Sequence, residues 1–170
     1  MAVNLNAGIK AILEKFTSPA IAPELVLRGD QRTAVLPASD EFIIFRTISQ
    51  RRISKTQSNL IESEEASRYR EYVEANVQID FYGSRAFQRA SVFEVLAKSC
   101  VIDRALQSYG VDALDTSPIQ NLTAVLDDNQ LTERWMLTLT VGYCNDVTLP
   151  QDYATSVSPA LIEINANFKG

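Results

Sequence analysis

Histidine is missing from this 170-residue chain, and with it go the commonest general base, the usual activator of a nucleophile and the commonest metal ligand. Only two cysteines are present, Cys100 and Cys144. They give neither a disulfide framework nor a metal-binding spacing, and the reading is that both are small buried apolar residues. The six glycines are scattered, and none forms part of a phosphate-cradling loop. No apolar run reaches the roughly 20 residues of a membrane helix. The first residues carry no basic segment followed by a continuous apolar stretch, so they do not read as a signal peptide. The expectation is a soluble protein, made in a reducing cytoplasm, with no cofactor, no metal and no membrane partner.

The composition itself is that of a folded domain. Hydrophobic residues make up 46% and charged residues 22%, which excludes a disordered chain, and the length suits one domain over residues 1–170. A net charge of −5 argues against a broad hold on nucleic-acid phosphates. The charge is unevenly distributed. Arg28 to Lys55 holds six basic and three acidic residues, whereas Asp103 to Gly170 holds three basic and nine acidic. Such asymmetry allows copies of the chain to attract one another.

Periodicity supplies the elements. Asn4 or Asn6 can cap a first helix with Leu5, Ile9, Ile12, Leu13 and Phe16 on one side, and Ser18-Pro19 stops it. An extended connection follows, with a short strand at Leu25 to Leu27. Glu41 to Ile53 reads as a strand, and so does Tyr69 to Tyr82. In the second, Val73, Ala75, Val77, Ile79 and Phe81 face the core, while Tyr72, Glu74, Asn76, Gln78, Asp80 and Tyr82 face water. Residues 54–67 between them read as a long polar tip. Gly83 breaks the strand, and Ser84 can cap one long helix to about Ser108, with Ala86, Ala90, Phe93, Leu96, Ala97, Cys100 and Val101 as its stripe. Leu131 to Tyr143 alternates again, and a last strand is expected at Ala160 to Phe168. The fold class this predicts is α+β: a mainly antiparallel sheet of about four to five strands, with two α-helices packed on one face.

Nothing in the sequence assembles catalytic chemistry, and no enzyme is expected. The carboxylate pairs Glu64-Glu65 and Asp127-Asp128 sit in polar, loop-like stretches and read as solvated surface. Arg51-Arg52 with Lys55 is the only basic cluster, and no aromatic interleaves it, so a nucleic-acid reader is not supported.

The centre of the chain is distinctive. The strand through Tyr72, Ala75, Val77, Gln78, Ile79, Asp80, Phe81, Tyr82 and Gly83 runs directly into Ser84, Ala86 and Ala90. This resembles the neck or tail terminator proteins of bacteriophages, where a "V-x-V-D-F-Y-G" strand leads into a helix with small residues near its start. The amphipathic N-terminal helix and the later Arg134-Trp135-x-Leu137-x-Leu139 strand agree in order. The resemblance implies a structural virion protein of the neck, assembled in the host cytoplasm. By the same resemblance it forms a hexameric ring that caps the tail tube, ends polymerisation and joins the tail to the head-side connector. Its implied partners are further copies of itself, the tube protein, the connector proteins, and double-stranded DNA passing through the hole without specific binding. The rival readings are another neck component (a connector, stopper or head-completion protein) and a small monomeric protein-binding module.

A ring needs one surface of each copy to meet a different surface of the next. The candidate contacts are Arg51, Arg52 and Lys55 on the way out of the hairpin and Glu62, Glu64 and Glu65 on the way back. The bland alternative is that these two sides pair with each other, with Lys55 near Glu64. Asp112, Asp115, Asp127 and Asp128 are candidates for a ring surface. Gly83 is the expected structural turn, at a backbone angle closed to other residues.

Overall fold

The computed structural model describes residues 3–30, 37–61, 66–125 and 131–150. The expected strand at Ala160 to Phe168, the acids Glu62, Glu64 and Glu65, and Asp127 with Asp128 lie outside these residues. No helix among the described residues is long and apolar enough to cross a membrane.

Helix α1 (Leu5–Phe16) starts where the Asn4 side chain accepts a hydrogen bond from the Ala7 amide at 3.2 Å, satisfying one of the amides a helix start leaves open. It buries Ile9, Ile12 and Leu13. After a short turn at Pro23–Leu25 the chain enters β1 (Val26–Arg28), which runs parallel to β2 (Phe42–Arg52). Strand β3 (Gln57–Ile61) follows, then β4 (Ala66–Tyr82), helices α2 (Ala86–Ala97) and α3 (Cys100–Gln107), and β5 (Val111–Thr116). The short strands β6 (Gln120–Asn121), β7 (Ala124–Val125) and β8 (Leu131–Thr132) lead to β9 (Arg134–Pro150).

The expected sheet of four to five mainly antiparallel strands is therefore corrected. The main sheet has seven strands, in the order β1-β2-β4-β9-β5, with β3 added on β4 and β6 on β9; β7 and β8 form a separate two-stranded ladder. It is mixed, because β1 joins in parallel. The fold remains α+β, with three helices rather than two. The long helix expected from Ser84 splits because Ser99 caps a new start: its side chain accepts from the Val101 amide at 3.3 Å. The restart shifts the helical phase, so Ile102 and Leu106 are buried while Val101 is exposed. The same shift leaves Cys100 exposed, and Cys144 is only half-buried, so neither is the buried thiol the sequence suggests.

The core lies between one face of the sheet and the helices. Ala75, Val77, Ile79 and Phe81 of β4 and Leu137, Leu139 and Val141 of β9 form one buried cluster with Ile9, Ile12, Leu13, Ala90, Phe93, Ile102 and Leu106. The register explains this: Ala75 faces Val141, Val77 faces Leu139 and Ile79 faces Leu137, so buried residues of the two strands meet in pairs. Each large apolar side chain buried in this way contributes about 1.5–3 kcal/mol.

Candidate assembly surface

Strands β4 and β9 do not stop where the helices stop. They pair without interruption from Tyr82 opposite Arg134 to Ala66 opposite Pro150. On the other flank, β2 accompanies β4 from Tyr82 to Val73, and β3 takes over from Arg70 to Ala66. The two are one interrupted strand: the Ile53 amide still donates to the Tyr72 carbonyl at 3.0 Å, and the Tyr72 amide donates to Ser54 Oγ at 3.0 Å. Much of what reads as a polar tip is therefore sheet, a three-stranded arm made by β3, β4 and β9.

The arm exposes apolar side chains that the body of the sheet would bury. Tyr69 lies opposite both Ser58 and Val147, and Ser67 lies opposite both Leu60 and Leu149, on the face of β4 that carries Val73, Ala75 and Val77 in the body. Among the described residues no helix covers this stretch: Leu60 is 52% exposed, Tyr69 36%, Val147 52% and Leu149 51%. On the opposite face Ile53 and Tyr72 are also exposed. The central strand is shielded at its far end, where Ala66 and Ser67 are buried.

Ion pairs brace this arm, two of them at its base, where β2 ends, and one within it. Arg51 donates to both carboxylate oxygens of Glu74, at 2.8 and 3.1 Å, and Arg52 meets Glu71 at 3.1 Å. Because they are neighbours on a strand, the two arginines project from opposite faces. They do not form the single basic cluster that their sequence suggests. Lys55 makes no ion pair among the described residues and is level with residues 71–72, since Gln57 faces Arg70. The Lys55–Glu64 pairing falls on a residue that is not described. Arg70 donates to both oxygens of Asp146 at 2.8 and 2.9 Å, and that guanidinium, helped by the Cys144 thiol, holds the aspartate at about 2. Burial pushes the Cys144 thiol up. The acids named for a ring surface, Asp112 and Asp115, are both exposed on β5 at the far edge of the sheet.

The junction below β4 is held differently. Gly83 has φ +99°, and a Cβ there would lie 2.6 Å from Glu41 Cγ and 2.8 Å from the Asp40 carbonyl oxygen. Its amide donates to the Glu133 carbonyl at 3.1 Å, tying the strand end to the start of β9. Glu41 is the hub beside it. It accepts from Arg85, from Ser84 Oγ at 3.1 Å and from Arg89 Nη2 at 2.9 Å. Arg85 above all, then Arg89 and Ser84, hold the Glu41 carboxyl down at about 2 against the cost of burial. Arg89 is 2% exposed and also donates to the Pro19 carbonyl at 2.9 Å. The sequence reading passed over Arg89 because it lies within an apolar helical stripe. The Ser84 hydroxyl, expected to cap α2, serves this hub instead.

On the outer face of the body, Asp80 is buried although its strand alternates as if that face were wet. Arg134 donates to it at 3.0 and 3.1 Å and Gln78 at 2.8 Å. Elsewhere, Ser99, Cys100, Asp103, Leu114 and Asp115 line an open depression of about 390 Å³ at the α2–α3 elbow. There Asp103 is occupied by the Ala113 amide and Asp115 by the Thr116 amide. Among the described residues no group of three or more acids or cysteines is placed to hold a metal ion.

The surface that stands out among the described residues is thus the exposed apolar face of the arm. A comparison with curated proteins finds no match. The model of the phage neck terminator protein family matches residues 5–166. Nearly the whole described fold falls within that match, so the chain belongs to the phage neck terminator family and is a structural protein of the phage neck.

Proposed function

We propose that this chain closes a ring, of six copies by resemblance, that caps the tail tube, ends its polymerisation and joins it to the head-side connector. The observation that carries the reading is the arm. A protein acting alone rarely leaves a contiguous apolar patch on a well-ordered sheet, and such patches mark contact surfaces. Here Leu60, Tyr69, Val147 and Leu149 form one, while the nearby charges Arg51, Arg52 and Arg70 are already engaged within the chain. The arm therefore offers apolar area, and the ion pairs set its stiffness and shape. The ring is proposed from the resemblance, and it requires a heterologous contact that closes on itself. The net charge of −5 suits a channel through which double-stranded DNA passes without being held.

Light scattering with and without purified tail tubes, followed by negative-stain imaging, tests this. Rings, or a monomer that becomes a ring at tube ends, support a terminator. Joining to DNA-filled heads while ignoring tubes makes it a head-side neck component. A monomer that ignores both overturns the ring.

A further inference from the structure

The arm has two open flanks among the described residues. Among the described residues β3 pairs with β4 alone, and so does β9 beyond Tyr143, where β5 ends. Both strands run antiparallel to β4, so they run parallel to each other. They are also level: Ser58 and Val147 both face Tyr69, and Leu60 and Leu149 both face Ser67. A rotation that carries the arm sideways by its own width therefore sets one flank against the other, in the same direction and at the same height.

The edges of the body are blunted in the manner expected of sheets that stay unpaired. Strand β1 is three residues long and ends in Arg28. Strand β5 carries Asp112 and Asp115, with a register shift between Ala113 and Asp115. The arm has no such protection on β3, where Gln57 to Ile61 contains neither charge nor proline. On the β9 flank the charge of Asp146 is matched within the same sheet by Arg70.

We infer that β3 of one copy adds to the Asn145–Leu149 edge of β9 in the next, as a parallel ladder, so that the arms of the ring close into a single β-barrel. The inference rests on the ring reading above and names the contact that makes the ring. The two faces of the arm fix which side is inside, because positions along barrel strands alternate in and out. Gln57, Asn59, Arg68, Arg70, Asp146 and Thr148 share one face; Leu60, Tyr69, Val147 and Leu149 share the other. The apolar face is the one that carries the helices in the body, so the helices lie outside and the polar face lines the lumen. Six copies contribute about eighteen strands, the size class that leaves an aqueous channel.

Cross-linking tests it. In a Cys100→Ser, Cys144→Ser background, Asn59→Cys is combined in turn with Asp146→Cys, Thr148→Cys and Pro150→Cys, which sample three registers. Neighbouring strands are about 4.8 Å apart, within the reach of a disulfide. One combination is expected to give a ladder of linked chains up to the ring's copy number. In the unmodified chain, hydrogen exchange at residues 57–61 and 145–149 is expected to slow at least about tenfold on ring formation. Rings that give no ladder in any register and no slowing overturn the barrel but leave the ring. Cross-links to the tube protein instead of a ladder assign the edge to the tube and overturn it too. No ring at all in the unmodified chain removes the ring reading and this inference together.

Discussion

The body and the arm are built from the same two strands, yet they solve opposite problems. Along β4, Ala75, Val77, Ile79 and Phe81 sit under helices and are buried, whereas Tyr69, on the same face, is open. Along β9, Leu137, Leu139 and Val141 are buried, whereas Val147 and Leu149 are open. Both stretches put apolar side chains on this face, although Glu71 and Asn145 interrupt it in the arm; what differs most is the cover. Folding free energy therefore resides in the body, while the apolar surface of the arm remains available for association.

Gly83→Val strikes the body hardest. A side chain at φ +99° is strained, and its Cβ would meet Glu41 and the Asp40 carbonyl at 2.6 and 2.8 Å. Strain and overpacking together cost on the order of 4 kcal/mol. Soluble expression should be lost, and a variant that melts as the parent does breaks the assignment of stability to this junction.

Glu41→Gln comes next. It leaves Arg89, which is 2% exposed, with its charge unmatched, at a cost of about 3 kcal/mol. The pH dependence sharpens the result. A carboxyl held at about 2 instead of its ordinary 4.5 stabilises the fold fully above 4.5 and loses that contribution as pH falls from 4.5 towards 2. Thermal melts of the parent should therefore weaken over that window, and those of the Gln variant should be flatter there.

In the arm the order of effects reverses. Leu60→Lys with Leu149→Lys alters exposed positions and should change stability by less than about 0.5 kcal/mol, while ring formation, read by light scattering, is lost. A large drop in melting temperature would instead make the arm part of the folding unit. Smallest of all is Arg51→Glu with Arg52→Glu. Each exposed pair with Glu74 or Glu71 is worth about 0–1 kcal/mol, so folding should hold, while assembly slows in a salt-dependent way. Assembly that is unchanged would limit these arginines to bracing their own arm.

Much of the body was legible in the sequence, because its strands alternate against a single core. Val73 to Phe81 and Trp135 to Tyr143 show the period of a half-covered strand, and Gly83 interrupts the pattern where the chain turns. The arm was not legible as sheet. Gln57 to Ile61 has no alternation of its own, and its pairing with β4 is a long-range fact that no local window holds. The short strand expected at Leu25 to Leu27 is present as β1, but its parallel pairing with β2 escaped for the same reason. The helix break at Ser99 was visible only as one serine within an apolar stripe, and Arg89 only as one charge within that stripe. Its ionic partner, Glu41, lies 48 residues away. The aspartate Asp146, beyond the strand end expected at Tyr143, was missed because β9 continues to Pro150.

Strands β4 and β9 each run seventeen residues without a break, about 55 Å of continuous ladder. Such a pair behaves as a beam clamped at one end. A pull on its tip along the strand axis loads the rungs in shear, so all of them share the force, whereas a sideways pull peels them one at a time. Tension along the phage axis would then be carried by the stiffest direction this fold possesses, provided that the arm lies along that axis.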